Sequence, residues 1–214
     1  MKHLYRALSQ RFGRLEWWPI VDKRNMQFEI ILGAILTQQA SWKSVEMVIR
    51  NLTDEKIATP QALASADVRK IQKAIRPTGF YKQKANRIKG VAKYIVENYG
   101  GVGKMFGKDT GELRKELLSL KGVGKETADD ILLYAAERAI VPIDAYTYRI
   151  LSRLGMISGK ESYDELQEIV HEKINDVESC KQFHALIVEH AKQFCKKKPS
   201  CEDCPLSERC AYPM

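Results

Sequence analysis

The chain has 214 residues, 29% charged and 44% hydrophobic, with a formal net charge of +8 and an isoelectric point near 9.2. That length suits one large domain or two small lobes with cores of their own, and the composition is that of an ordinary soluble globular protein. The longest apolar stretch, Ile30 to Leu36, is broken by Gly33 and is too short to span a bilayer, so no membrane association is expected.

The excess of positive charge suits a polyanionic partner, nucleic acid first, although a merely basic protein would show the same numbers. The start of the chain, Met1-Lys2-His3-Leu4-Tyr5-Arg6, has no apolar leader, so an intracellular, cytoplasmic location with reduced thiols is expected.

In chain order, Trp17-Trp18-Pro19 precedes a first apolar helix in which Phe28, Ile31, Leu32, Ile35 and Leu36 recur at helical spacing. Gln38-Gln39 and then Trp42 follow it. A helix through Ile88, Val91, Ala92 and Ile95 comes next, and Leu113 to Ser119 reads as another. Ile131, Leu132 and Ala135, then Leu166, Ile169 and Val170, then Phe183, Leu186, Ile187 and His190 continue the helical period. Breakers separate these runs at Thr59-Pro60, Pro77-Thr78-Gly79, Gly100-Gly101 and Gly155. No alternating run is long enough for a sheet, so the predicted class is all-α.

Two positions suggest chemistry. Lys121-Gly122-Val123-Gly124 joins one helix to another that begins near Lys125. Two glycines around one small apolar residue allow a tight turn whose amides lie at the positive end of the next helix, a place suited to a phosphate. A plain helix–helix connection would read the same way. About twenty residues later Asp144 precedes the helical run Tyr148 to Leu154, and this pattern is open to two readings, an N-cap or a functional carboxylate. From Cys195 onward the chain is rich in Cys, Lys and Pro and cannot build a core. Cys195, Cys201, Cys204 and Cys210 have the spacing C-x5-C-x2-C-x5-C, which in a reduced compartment reads as a metal site, either zinc or iron–sulfur.

The stretches LKGVGKETAD and VPIDAYTYRILSRLG resemble the helix-hairpin-helix and Gly/Pro-rich-loop-Asp signature of the endonuclease III superfamily of DNA glycosylases. LTQQAS (Leu36 to Ser41) is similar to that family's Gln-containing loop at the DNA, and RPTGFYKQKANRI (Arg76 to Ile88) to its Gly-aromatic-Lys segment. The resemblance implies two helical lobes of the HhH-GPD fold. Residues 24–134 would form a six-helix lobe, 1–23 with 135–194 a second, and 195–214 a cluster loop. It implies Asp144 as the catalytic carboxylate, and DNA contacts from Gln38, Gln39, Lys84, Lys121, Gly122, Val123, Gly124 and Lys125. It also implies a 4Fe-4S cluster on Cys195, Cys201, Cys204 and Cys210, although the usual first gap is six residues. The implied partner is double-stranded DNA with a damaged base, bound by a monomer.

Members that cleave the strand carry a lysine where this chain has Glu126. Lys125 lies one residue earlier, rotated by roughly 100° on a helix. The expectation is base removal without strand cleavage, with Glu126 at the site. Trp17, Trp18, Pro19 and Trp42 resemble the base pocket of the monofunctional 3-methyladenine branch, which lacks the cysteine cluster. Indoles can stack on an extruded base and attract a cationic one. The competing expectations are an endonuclease III-like glycosylase with AP lyase activity in which Lys125 or another lysine substitutes, a glycosylase acting on mismatched or oxidised pyrimidines, a non-catalytic DNA-binding protein, and an electron carrier built on the cluster.

Overall fold

The computed structural model describes residues 1–212. It is helical throughout, with no strand among the described residues. It divides into two compact units, Trp18–Arg138 and the pair Met1–Trp17 with Ala139–Met214.

The first unit is built on α2 (Met26–Leu36), which is buried on every side from Phe28 to Leu36. A helix apolar all round belongs at the centre of a core. Around it lie α3 (Trp42–Asp54), α4 (Pro60–Ser65), α5 (Val68–Ile75), α6 (Tyr81–Tyr99), α7 (Val102–Met105), α8 (Thr110–Ser119) and α9 (Lys125–Asp130). α6 packs on α4 and α5, buries Ile88, Val91, Ala92 and Ile95, and ends at Gly100, whose φ of +68° closes the helix. Local chemistry sets the helix starts: Ser41, Thr59, Asp67 and Asp109 each accept a main-chain N–H of the first turn, and Pro60 occupies the first position of α4. α9 runs directly into a wider π turn, Ile131–Ala135.

The second unit contains α1 (Lys2–Phe12), α10 (Ala145–Arg153), α11 (Tyr163–His171) and α12 (Val177–Gln193). α12 packs against both α1 and α10. Ser162 and Glu165 form a reciprocal capping box at the start of α11. Cys180 is buried on α12, where burial pushes its thiol up to about 12. The tail after α12 has only a single short helical turn, Ser207–Arg209, among the described residues. No helix among the described residues is long and apolar enough to cross a membrane.

Candidate active site and cysteine cluster

In the Trp18–Arg138 unit, the hairpin closes with Val123 N–H donating to Leu120 O at 3.0 Å. Val123 points into the core, while Lys121, Gly124, Lys125 and Glu126 are exposed. Gly122 has a φ of +90°, and a Cβ there would lie 2.4 Å from Arg87 Cδ. Glycine is therefore required twice, by conformation and by space. Gly122→Ala is expected to cost about 1–3 kcal/mol, a fall of several degrees in Tm that thermal unfolding would register.

Gln38 was expected at the DNA, but its amide is spent inside the protein. Nε2 donates to Gly122 O and Thr127 Oγ1, both at 3.0 Å, and Oε1 accepts from Arg87 Nη1 at 2.9 Å. Gln39 is the exposed member of the pair, held at a φ of +54°. Lys84, also expected at the DNA, is buried, with Nζ donating to Leu36 O and Thr78 O at 2.9 Å each. A buried ammonium must find acceptors, and these two carbonyls leave its head no route to an external phosphate.

Trp42 opens α3 beside the cap Ser41. Trp18 meets it edge to face at 5.0 Å between ring centroids and leans on Tyr134 at 5.1 Å. This pair leaves no gap for a base between its rings, so Trp18 buttresses Trp42 instead of forming a sandwich with it. Gly33 makes room for the Trp18 ring, since a Cβ there would lie 2.9 Å from Trp18 Cζ2. The buried carboxylate of Glu29, one turn earlier on α2, accepts Val21 N–H at 2.6 Å and Asp22 N–H at 2.8 Å and so fixes the chain beyond the exposed Pro19. Burial raises the Glu29 pKa. The indole N–H of Trp42, buried, has no hydrogen-bond partner among the described residues.

In the other unit, Asp144 is 7% exposed and caps α10. Thr147 N and Thr147 Oγ1 both donate to Asp144 Oδ1 at 2.7 Å, so the cap occupies one carboxylate oxygen. Burial lowers the pKa of neighbouring His184, against the pull of the Asp144 carboxylate and with the push of Lys192. Trp17 lies under the Lys192 ammonium, 5.0 Å from its ring centroid, and its buried N–H likewise has no partner among the described residues. Gln182 on α12 holds the preceding chain by accepting Leu15 N–H at 3.0 Å and donating to Leu15 O at 2.7 Å.

The cysteines Cys195, Cys201, Cys204 and Cys210 line one cavity with His190, Phe194 and Arg153. Burial raises the Cys204 thiol, and the other three cysteines add to the effect. Arg153 Nη1 donates to Cys195 Sγ at 3.3 Å, and Cys210 Sγ donates to Arg153 O at 3.4 Å. Arg149 Nε donates to Cys195 O at 2.8 Å, so two arginines of α10 hold the loop. Among the described residues no three His, Cys, Asp or Glu side chains are grouped as ligands for one metal ion.

Sequence reading missed Phe80, Arg87 and Glu29. Phe80 is 62% exposed at a φ of +46°, immediately after Gly79 at +65°. The signals were a lone acid in an otherwise apolar helix for Glu29 and an aromatic directly after a turn glycine for Phe80.

Residues 32–176 match the family described as HhH-GPD superfamily base excision DNA repair protein. A protein of Methanocaldococcus jannaschii named as a DNA repair glycosylase is 49% identical over 97% of this chain and 94% of its own length. Endonuclease III of Sulfolobus acidocaldarius is 31% identical over 90% of this chain and 85% of its own. The crystal structure of the H. pylori 3-methyladenine DNA glycosylase bound to 1,N6-ethenoadenine superposes with a TM-score of 0.75 at 29% identity, covering 89% of this chain and 96% of that one.

Proposed function

Because the chain belongs to the HhH-GPD superfamily of base excision DNA repair proteins, we propose that it binds double-stranded DNA, hydrolyses the N-glycosidic bond of a flipped alkylated purine such as 3-methyladenine, and leaves the strand intact. The observation that carries the base-removal outcome is Glu126 in the first turn of α9, at the position where the resemblance puts a lysine in strand-cleaving relatives. A Schiff base with the sugar needs an amine at that place.

The aromatic group carries the substrate class. Trp42, buttressed by Trp18 and Tyr134, offers a rigid indole. Its unpartnered N–H would find an acceptor on a base. Stacking on an indole is worth roughly 1–3 kcal/mol, and a cationic purine gains cation–π attraction in addition. An alkylated purine is already a good leaving group, so little acid catalysis is needed.

We assign each residue a part in that reaction. Main-chain amides of Gly122 and Gly124, with Lys121 and Lys125, hold a backbone phosphate at the positive end of α9, while the Val123 amide, expected to join them, closes the hairpin onto Leu120 O. Exposed Gln39 and Phe80 enter the space left by the extruded base, whose unstacking costs a few kcal/mol. Asp144 stabilises the positive charge that builds on the sugar as the bond breaks, and Glu126 orients the attacking water. By the resemblance, Cys195, Cys201, Cys204 and Cys210, which line one cavity, would supply the four thiolates of a 4Fe-4S cluster. Lys192, Lys196, Lys197 and Lys198 flank that loop.

The test is a panel of duplexes carrying methylated purines, mismatches and oxidised pyrimidines, each analysed with and without alkali. Release of methylated purine with nicking only after alkali is expected. Nicking without alkali, or a covalent adduct trapped by borohydride, would sink the base-removal reading, and release confined to pyrimidines would sink the substrate class.

A further inference from the structure

Lysine is almost never fully buried unless it is paired. Lys84 is 2% exposed, and burial together with the nearby Arg87 cation lowers its pKa. Its two acceptors belong to different turns. Leu36 ends α2 and leads into the turn that carries Gln39, and Thr78 leads into Gly79 and Phe80. Arg87 lies three residues further along α6, on the same face. It bonds Gln38, whose amide bonds the hairpin at Gly122 and Thr127, and its methylenes cover Gly122.

We infer that Lys84 and Arg87 form an internal brace that joins the Gln39 turn, the Phe80 turn and the hairpin into one rigid template, acting as positioning residues and not as phosphate ligands. The inference rests on the reading that these three turns meet DNA. Left-handed conformations at residues such as Gln39 and Phe80 cost of order 1–3 kcal/mol each and persist only where the surroundings over-determine them. The brace supplies that constraint from below, through main-chain acceptors, and leaves both side chains free at the surface. Ordering the turns during folding removes that cost from the binding step.

Two variants test it in the full chain. Lys84→Met keeps the unbranched stem and removes the ammonium. Arg87→Lys keeps the charge and removes the fork that reaches Gln38. Amide hydrogen exchange in the free protein is expected to quicken about tenfold at residues 37–40, 79–81 and 121–125 in both variants, as for the loss of one charge-assisted hydrogen bond, with α12 unchanged. Preference for a duplex carrying a tetrahydrofuran abasic analogue over an undamaged duplex is expected to fall by about the same factor, with the salt dependence of Arg87→Lys binding unaltered.

If Arg87→Lys matches the wild type in exchange and in preference, the brace is overturned, and this variant decides the matter if Lys84→Met does not fold. A salt slope smaller by about 0.9 in Lys84→Met, without faster exchange, would also overturn it by making Lys84 a phosphate contact. A wild type that shows no preference for the abasic duplex would overturn the DNA-facing reading instead, while the exchange data still decide the brace.

Discussion

Replacing Asp144 by Asn is expected to lower base release by roughly 100- to 1000-fold while DNA binding is kept, the size of effect seen when a preorganised electrostatic contact to a transition state is removed. The structure makes this substitution unusually clean. Asp144 caps α10 through Oδ1, which accepts from both Thr147 N and Thr147 Oγ1. An asparagine retains a carbonyl oxygen for that cap, loses the charge and exchanges the other oxygen for an amide NH2. Asp144→Ala removes cap and charge together and should also cost about 1 kcal/mol of stability. The two readings of this residue, helix cap and functional carboxylate, are therefore separable: Asn and Ala should be equally slow in single-turnover base release, and only Ala should melt earlier. An Asn variant that releases base at the wild-type rate would remove Asp144 from the chemistry.

Replacing Cys204 by Ala is expected to abolish iron binding and lower Tm by more than about 10 °C. The tail from Cys195 to Tyr212 has one short helical turn and little apolar burial beyond Leu206, so its order must come from elsewhere. Part comes from α10, whose Arg149 and Arg153 bond Cys195 O, Cys195 Sγ, Lys196 O and Lys197 O. On the proposed reading, the rest would come from a cluster held by the four cysteines that line one cavity. Metal binding of this kind is folding free energy, since no site preexists in the unfolded chain. For a chain of this size each kcal/mol moves Tm by roughly 2–4 °C, so several kcal/mol give the stated shift. Iron analysis, visible absorption and calorimetry on wild type and variant provide the check. A variant with undiminished iron and Tm would exclude Cys204 as a ligand.

The all-helical class was legible because its signal is local. The apolar period of Phe28 to Leu36 appears as α2, and the stop at Gly100 and the start at Asp144 coincide with real helix ends. The run after Asp144 begins at Ala145, three residues before the first periodic residue, because the cap itself nucleates the turn. Side-chain environments were less legible. Lys84 and Gln38 lie in segments that resemble DNA-facing ones, yet their partners include main-chain carbonyls of Leu36, Thr78 and Gly122. Main-chain acceptors leave no mark in residue type, so a brace of this kind is invisible in sequence. Glu29 is the same case with the polarity reversed, a carboxylate holding two amides.

Cys180 sets the cysteines apart in chemical reactivity. The chain has five, and this one is sealed on α12 with its thiol pushed up to about 12, while Cys201, Cys204 and Cys210 of the tail are only half-buried. A thiolate-directed reagent at neutral pH discriminates on those grounds. Cys180 therefore reports on the integrity of the helical core and the tail thiols on the state of the loop, so that one alkylation time course can tell local release of the C-terminus from global unfolding in a single sample.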